Sequence, residues 1–171
     1  LNSDDSHLNY KIACTYMNEG NWESAIKKLE VALRIHRMQP EYNLAMGQCY
    51  LQLDKLDDAI SSFGNVVRVR PKNISGWTEL LNSLYKAEML EEAVEYAGFA
   101  FEQTEGKPIF LFYKSAFLYA LGKSKEALLN LEAGMNRNPK LVKKFIQINP
   151  ALLQIQQVVD IIARFKKRKS L

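Results

Sequence analysis

Side chains that could perform chemistry are few and scattered in this sequence of 171 residues. Neither histidine, His7 nor His36, has a second metal ligand or a paired carboxylate at helical spacing around it. The two cysteines, Cys14 and Cys49, lack the C-x2-C spacing of a zinc or redox site. No Gly-rich phosphate loop, H-E-x-x-H motif or nucleophile elbow occurs. Because catalysis needs several convergent groups, we expect a protein that is not an enzyme and uses no cofactor or metal.

Two clusters of carboxylates stand where helices are predicted to start. Negative charge is favourable at a helix N-terminus, so we interpret both clusters as groups that stabilise those helices. Their members are Asp54, Asp57 and Asp58, and Glu88, Glu91 and Glu92.

Small residues recur along the chain with a period of 34. Ala25, Ala59, Ala93 and Ala127 occupy the same position in successive units. A small residue is needed where two helices cross closely, because a larger side chain would push them apart or strain the packing. The period therefore predicts pairs of helices that follow one another along the chain.

The clearest unit spans residues 40–73. Its order of residues is M-G-x2-Y, then A-x3-F, then P. It resembles a tetratricopeptide repeat, with Met46 in the Leu position and Asn43 in place of the opening Trp. The residues that carry the resemblance are Met46, Gly47, Tyr50, Ala59, Phe63, Val66 and Pro71. The resemblance implies an all-α fold, a right-handed superhelical array of helix-turn-helix repeats (an α-solenoid) closed by C-terminal capping helices.

The register predicts four repeats and a C-terminal segment. The fourth repeat is divergent, because Lys114 and Ser115 replace the usual Leu-Gly pair. We expect Lys114 to extend past its neighbours to water, or else the first helix of this repeat to be rotated. The boundaries are 6–39, 40–73, 74–107 and 108–141 for the repeats, and 142–171 for the capping helices with their basic tail.

Beyond Leu141 we expect a short helix that ends at Asn149-Pro150 and a final helix from about Ala151 to Lys167. The apolar side chains of the final helix cover a wider stripe than one neighbouring surface needs. Either the short helix folds back to cover the excess, which its own apolar character favours, or two chains pair as a homodimer through this segment. The apolar set is Leu152, Ile155, Val158, Val159, Ile161, Ile162 and Phe165.

The resemblance also implies a function, which is to bind a protein or peptide on the concave face formed by the first helix of each repeat. We expect an interaction module or scaffold. Phe112 and Tyr113 are adjacent, so we expect that they cannot both face the core and that at least one lies in the groove. The residues at groove positions are Tyr10, Cys14, Leu44, Gln48, Thr78, Glu79, Asn82, Tyr85, Phe112, Tyr113 and Tyr119.

One specialisation of the family can be compared position by position. Its chaperone-binding members hold a C-terminal carboxylate with a clamp of Lys, Asn and Arg side chains. The matching positions here are Tyr10, Cys14, Ala45, Ser75 and Glu79. None is a clamp residue, and Glu79 has the opposite charge. We therefore expect no chaperone carboxylate clamp.

The net charge of +4 comes from the end of the chain. Without the five basic residues of this tail, 18 basic residues stand against 19 acidic ones. Nucleic-acid binding requires a basic stripe along the surface, so it is a less favoured alternative to protein binding. A second alternative is a role as the regulatory arm of a larger enzyme. The basic residues of the tail are Arg164, Lys166, Lys167, Arg168 and Lys169.

Features that would direct the chain to a membrane or out of the cell are missing from the sequence. No apolar run reaches the ~20 residues of a membrane-spanning helix, and the first residues lack the layout of a signal peptide. The cysteines show no disulfide pattern, which favours a reducing compartment, so we expect a cytoplasmic protein. The sequence does not begin with Met, and we interpret it as a fragment of a longer protein.

Overall fold

The computed structural model describes residues 3–168, which form ten α-helices and two short 3-10 helices. Within this range no helix combines the length and the apolar character that crossing a membrane requires. The α-helices are α1 (Ser3–Asn18), α2 (Trp22–Ile35), α3 (Pro40–Gln52), α4 (Leu56–Val69), α5 (Ile74–Lys86), α6 (Leu90–Gln103), α7 (Ile109–Ala120), α8 (Ser124–Arg137), α9 (Val142–Ile148) and α10 (Gln156–Arg168). The 3-10 helices are Pro139–Leu141 and Pro150–Gln154.

Two compact units make up the chain, Leu1–Ala87 and Glu88–Leu171. In the first unit α1 packs on α2 and α3 packs on α4, and the pairs are joined by contacts of α2 with α3 and of α4 with α5. In the second unit α7 packs on both α6 and α8, while α9 contacts α7 and α10 contacts α8.

The predicted period of 34 recurs in the backbone. Gly20, Asp54, Glu88 and Gly122 follow α1, α3, α5 and α7 at equal spacing, and their φ angles are 73°, 56°, 59° and 75°. A positive φ at this position lets the chain leave one helix and start the next within a short turn. The four alanines of the period, at 25, 59, 93 and 127, are all buried, as predicted.

The two acidic clusters are each divided between a turn and a helix. Asp54 and Glu88 lie in the turns, whereas the remaining four carboxylates lie in the first turn of α4 or α6, where the helix dipole favours negative charge. Those four are Asp57, Asp58, Glu91 and Glu92.

We expect Glu88→Gly to raise the free energy of unfolding by about 0.5–1 kcal/mol, because glycine adopts positive φ without the steric cost that a Cβ brings. Glu88 is exposed, so little packing is lost. Gly122→Ala should lower the free energy of unfolding by about 1 kcal/mol, because it places a Cβ at positive φ. Urea unfolding of both variants checks the pair. If Glu88→Gly were less stable than the parent, the positive φ of Glu88 would not be a source of strain.

Helices α3 and α4 lie close together at Gly47. A Cβ at this position would lie 2.5 Å from Cε1 of Phe63, whose ring is buried. Gly76 of α5 has a similar role, since a Cβ there would lie 2.8 Å from Cγ1 of Val66. Glycine is therefore required at both crossings by the space available.

Asn43 occupies the position at which the family has Trp, and Trp77 occupies it in the next repeat. The amide of Asn43 donates to the carbonyls of Arg37 and Gln39, each at 3.0 Å. The Nε1 of Trp77 donates to the carbonyl of Pro71 at 2.7 Å, which is the same six-residue offset. The asparagine thus replaces the hydrogen bond of the tryptophan, although it does not replace its bulk.

The divergent fourth repeat keeps its register. Ser115 stands at the position of Gly47 and is buried, and its hydroxyl donates to the carbonyl of Ala127 on α8 at 2.7 Å. Lys114 is half-buried, so α7 is not rotated to expose it fully. The tight crossing has moved to Gly134 of α8, where a Cβ would lie 2.9 Å from the ring of Phe112.

Most of the wide apolar face of the C-terminal segment is covered within the second unit, but Val159 is 36% exposed. Leu152, Val158, Ile161, Ile162 and Phe165 are buried, and Ile155 is partly buried against the same core. This core also contains Phe112, Ala116, Leu131, Met135 and Phe145, and partly buried residues of α9 pack against it. The short helix thus folds back on this face as expected, and pairing of two chains through its exposed part stays a prediction.

The final helix begins later than predicted. Pro150–Gln154 is a 3-10 helix, Ile155 is extended, and α10 starts at Gln156 rather than near Ala151. The Oδ1 of Asn149 accepts from the backbone N–H of Ala151, which holds the chain in a tight turn after the proline. Of the basic tail, Lys169 lies outside the described residues.

Candidate functional site

The first helices of the first unit, α1, α3 and α5, contribute to one cavity of about 340 Å³. Two residues predicted at groove positions, Gln48 of α3 and Glu79 of α5, line it together. The other lining residues are Met17 and Asn18 at the end of α1, Trp22 at the start of α2, and Leu51 and Gln52 on α3.

The lining combines apolar walls with polar groups. Met17, Trp22 and Leu51 supply apolar surface, and three side-chain amides and the carboxylate of Glu79 supply hydrogen-bonding atoms. A side-chain amide both donates and accepts, so it can pair with the backbone of an extended peptide. The carboxylate of Glu79 accepts hydrogen bonds and favours a positively charged partner group. This chemistry suits recognition and contains no nucleophile with an adjacent base.

Tyr10 and Cys14 are half-buried between α1 and its neighbours. The ring of Tyr10 lies 4.9 Å from that of Tyr42, measured between centroids. Burial, followed by a hydrogen bond with the Cys14 thiol, raises the pKa of Tyr10 to about 12. Burial also raises the pKa of the Cys49 thiol to about 11. Both groups are therefore neutral at physiological pH, and the thiol is a weak nucleophile.

The remaining predicted residues of the first unit vary in exposure. Leu44, Thr78 and Tyr85 are half-buried, and Asn82 is exposed. The hydroxyl of Thr78 donates to the carbonyl of Ser75 at 3.1 Å. These four residues do not line the cavity that contains Gln48 and Glu79.

The prediction that Phe112 or Tyr113 lies in a groove is wrong, because both are 0% exposed. Helix α7 has neighbours on several sides, so adjacent residues can be buried against different helices. Phe112 packs on Phe145 and beside Gly134, while the Tyr113 ring lies 5.8 Å from that of Phe117. These aromatic residues build the core of the second unit.

Tyr119 is half-buried against the same core. Its hydroxyl is buried, and no hydrogen-bond partner for it lies among the described residues. Burial raises the pKa of Tyr119 to about 12, so the group stays protonated.

A larger cavity, of about 570 Å³, is lined by α2, α3 and α4 of the first unit. Its lining includes Glu30, Arg34, Arg37 and Asp58, so charges of both signs are mixed. The sequence did not predict it, because its lining residues are spread over three helices and over both signs of charge. No group of three His, Cys, Asp or Glu side chains that could hold a metal occurs in the part of the chain described here.

Packed helix pairs, joined by a recurring turn of positive φ, define an all-α helical-repeat protein. Residues 40–73 match the family model of the tetratricopeptide repeat. No sequence among curated proteins matches the chain. This match identifies one tetratricopeptide repeat within the chain, and the solved structures described next share the fold of the remainder.

Three solved structures illustrate the similarity. MamA from Desulfovibrio magneticus RS-1 is 14% identical, with 98% of this chain and 96% of that chain covered and a TM-score of 0.71. The first TPR domain of Spaghetti (RPAP3), bound to an HSP90 peptide, is 16% identical over 71% of this chain and 97% of that chain, with a TM-score of 0.62. A thermophilic TPR protein of Thermus thermophilus is 14% identical over 97% and 100% of the two chains, with a TM-score of 0.59. At these identities the likeness defines the fold.

Proposed function

We propose that this protein is a non-enzymatic interaction module that binds an extended peptide or a partner helix in the cavity between α1, α3 and α5. The observation that carries the proposal is the convergence of Gln48 and Glu79 beside Met17, Trp22 and Leu51. Apolar walls with a few placed polar groups are typical of binding sites.

The chemistry of the cavity points away from strongly acidic peptides. The HSP90 peptide bound by Spaghetti, SRMEEVD, contains three acidic residues. Glu79 would repel such a segment, and the clamp positions Ala45 and Ser75 carry neither charge nor a side-chain amide. We therefore propose an uncharged or basic segment with an apolar anchor as the partner.

A cavity-filling substitution tests the site. Peptides selected from a random displayed library against the parent protein should bind Gln48→Trp at least about tenfold more weakly, because the indole occupies the cavity. Ser61→Trp is the matched control, since Ser61 lines the larger cavity of α2, α3 and α4. Isothermal titration measures both affinities, and circular dichroism confirms that the variants fold.

The salt dependence and the footprint provide independent readouts. Binding dominated by apolar contacts should change little between low and moderate salt. Amide-exchange protection should cover α3 and α5. Protection confined to the second helices, around Lys28 and Asn65, or loss of binding only in Ser61→Trp, would exclude the proposed site.

A further inference from the structure

A second apolar pocket, of about 400 Å³, opens in the C-terminal part of the second unit. Its walls are Met135, Pro139, Val142, Ile162 and Phe165, drawn from α8, the 3-10 helix after it, α9 and α10. Four of these five residues belong to the core of the unit or pack against it. The pocket is thus a gap where α9 and α10 do not close over the end of α8.

Three lysines surround this apolar gap. Lys140, Lys143 and Lys166 all line the pocket, and all three are exposed. Residues 138–171 contain eight basic residues and a single acidic one, Asp160, whereas residues 1–137 contain 15 basic and 18 acidic residues. The carboxylate of Asp160 accepts from the Gln156 amide at 2.8 Å. Arg164 is paired with Glu132 at 3.1 Å, so the positive charge that lines the pocket is that of Lys140, Lys143 and Lys166.

We propose that this lysine-rimmed pocket binds an apolar side chain of a protein partner, carried on a segment rich in aspartate and glutamate. A concave apolar site accepts a side chain that inserts into it, and the lysines attract the flanking carboxylates. The site lies in the second unit and has the opposite charge preference to the cavity of α1, α3 and α5, so it does not depend on the function proposed above.

The shape of the site argues against two other anionic partners. A bilayer receives apolar side chains that protrude from a protein, whereas Ile162 and Phe165 are buried at the base of a recess. Single-stranded nucleic acid is held by exposed aromatic rings on which bases stack, and the aromatic ring of this pocket, Phe165, is 8% exposed. An acidic peptide with an apolar anchor satisfies both the recess and its charged rim.

The test uses a fluorescein-labelled synthetic peptide in which a leucine is flanked by glutamates, with binding followed by fluorescence anisotropy. We expect saturable binding that weakens about tenfold in Lys143→Glu, because one favourable charge becomes repulsive. Lys125→Glu, the same change at an exposed lysine on α8 outside the pocket, should alter the affinity by less than about twofold. The peptide with serine in place of leucine, and the peptide with lysines in place of glutamates, should not bind.

Several results would overturn the proposal. One is the absence of saturable peptide binding at protein concentrations up to about 1 mM. Another is an equal loss of peptide affinity in Lys143→Glu and Lys125→Glu. Binding to phosphatidylserine vesicles or to random single-stranded RNA that is lost in Lys143→Glu, without binding of the acidic peptide, would assign the pocket to a membrane or to nucleic acid. Loss of peptide binding in Gln48→Trp would place the peptide in the other cavity, whereas binding unchanged by Gln48→Trp supports a separate site.

Discussion

The Gly47→Ala variant is expected to unfold with a free energy about 2 kcal/mol lower than that of the parent. The added Cβ would lie 2.5 Å from Cε1 and 2.7 Å from Cζ of Phe63, well inside van der Waals contact. The Phe63 side chain is fully buried, so its ring cannot withdraw into solvent. Helices α3 and α4 must separate or the ring must leave its rotamer, and overpacking of this kind costs about 1–3 kcal/mol. Urea unfolding followed by circular dichroism measures the loss.

A glycine-to-alanine substitution in the next helix, α4, should instead raise the free energy of unfolding. Gly64 lies within α4, and a Cβ there would have no atom within 4 Å apart from its local neighbours. Alanine is a better helix former than glycine by about 1 kcal/mol, so Gly64→Ala should stabilise the protein. Phe63→Leu should also recover part of the loss in Gly47→Ala, because the two sites share one contact. Equal effects of the two alanine substitutions would show that α3 and α4 do not meet at Gly47.

The repeat could be predicted from sequence because its tightest contacts demand particular residue types. A Cβ is excluded at Gly47 and only a small side chain fits at Ala59, so both the type and the 34-residue spacing are visible without a structure. The turn was harder to predict. Gly20 and Gly122 indicate positive φ, and Asp tolerates it better than most residues, but Glu88 adopts the same conformation without a sequence signal.

The environment of α7 could not be predicted, because a sequence reports which faces are apolar and not how many neighbours a helix has. The adjacency of Phe112 and Tyr113 predicts that one of them is exposed, yet α7 contacts α6, α8 and α9. The start of α10 was missed for a related reason. The apolar spacing from Leu152 to Ile155 suits a helix, but Pro150 and the bond from Ala151 to Asn149 favour a tighter turn.

The candidate site was only partly accessible to sequence reasoning. Gln48 and Glu79 follow from the family register, which identifies the middle of each first helix. Asn18, Trp22 and Gln52 stand at the ends of helices, so they reach the cavity through the geometry of the turns. The lysines around the second pocket are spread from Lys140 to Lys166, and only the fold of α9 and α10 brings them together.

The Asn43→Ala variant should lose about 2 kcal/mol of stability. Asn43 is 4% exposed, and its side chain donates to the carbonyls of Arg37 and Gln39 and accepts from the Asn65 amide at 3.1 Å. Removing it takes a partner from three part-buried polar groups, of which the Gln39 carbonyl keeps its bond from the Asn43 backbone N–H, and an unsatisfied buried group costs about 1–3 kcal/mol. The matched change in the next repeat, Trp77→Phe, removes the bond to the Pro71 carbonyl together with part of a buried ring, so it should also destabilise the protein.

Asn43→Asp separates the loss of the hydrogen-bond donor from the loss of packing contacts, because the side chain keeps its shape. At neutral pH the carboxylate cannot donate and faces two carbonyl oxygens, so this variant should be at least as unstable as Asn43→Ala. Burial and the carbonyls would raise its folded-state pKa above the unfolded value, so the folded state binds the extra proton more tightly. The deficit relative to the parent should therefore shrink as pH falls through the raised pKa, since the protonated acid can donate one bond. Thermal unfolding of both proteins from about pH 8 to pH 4 measures this difference in stability. A difference independent of pH would mean that Asn43 acts through packing rather than through its donated hydrogen bonds.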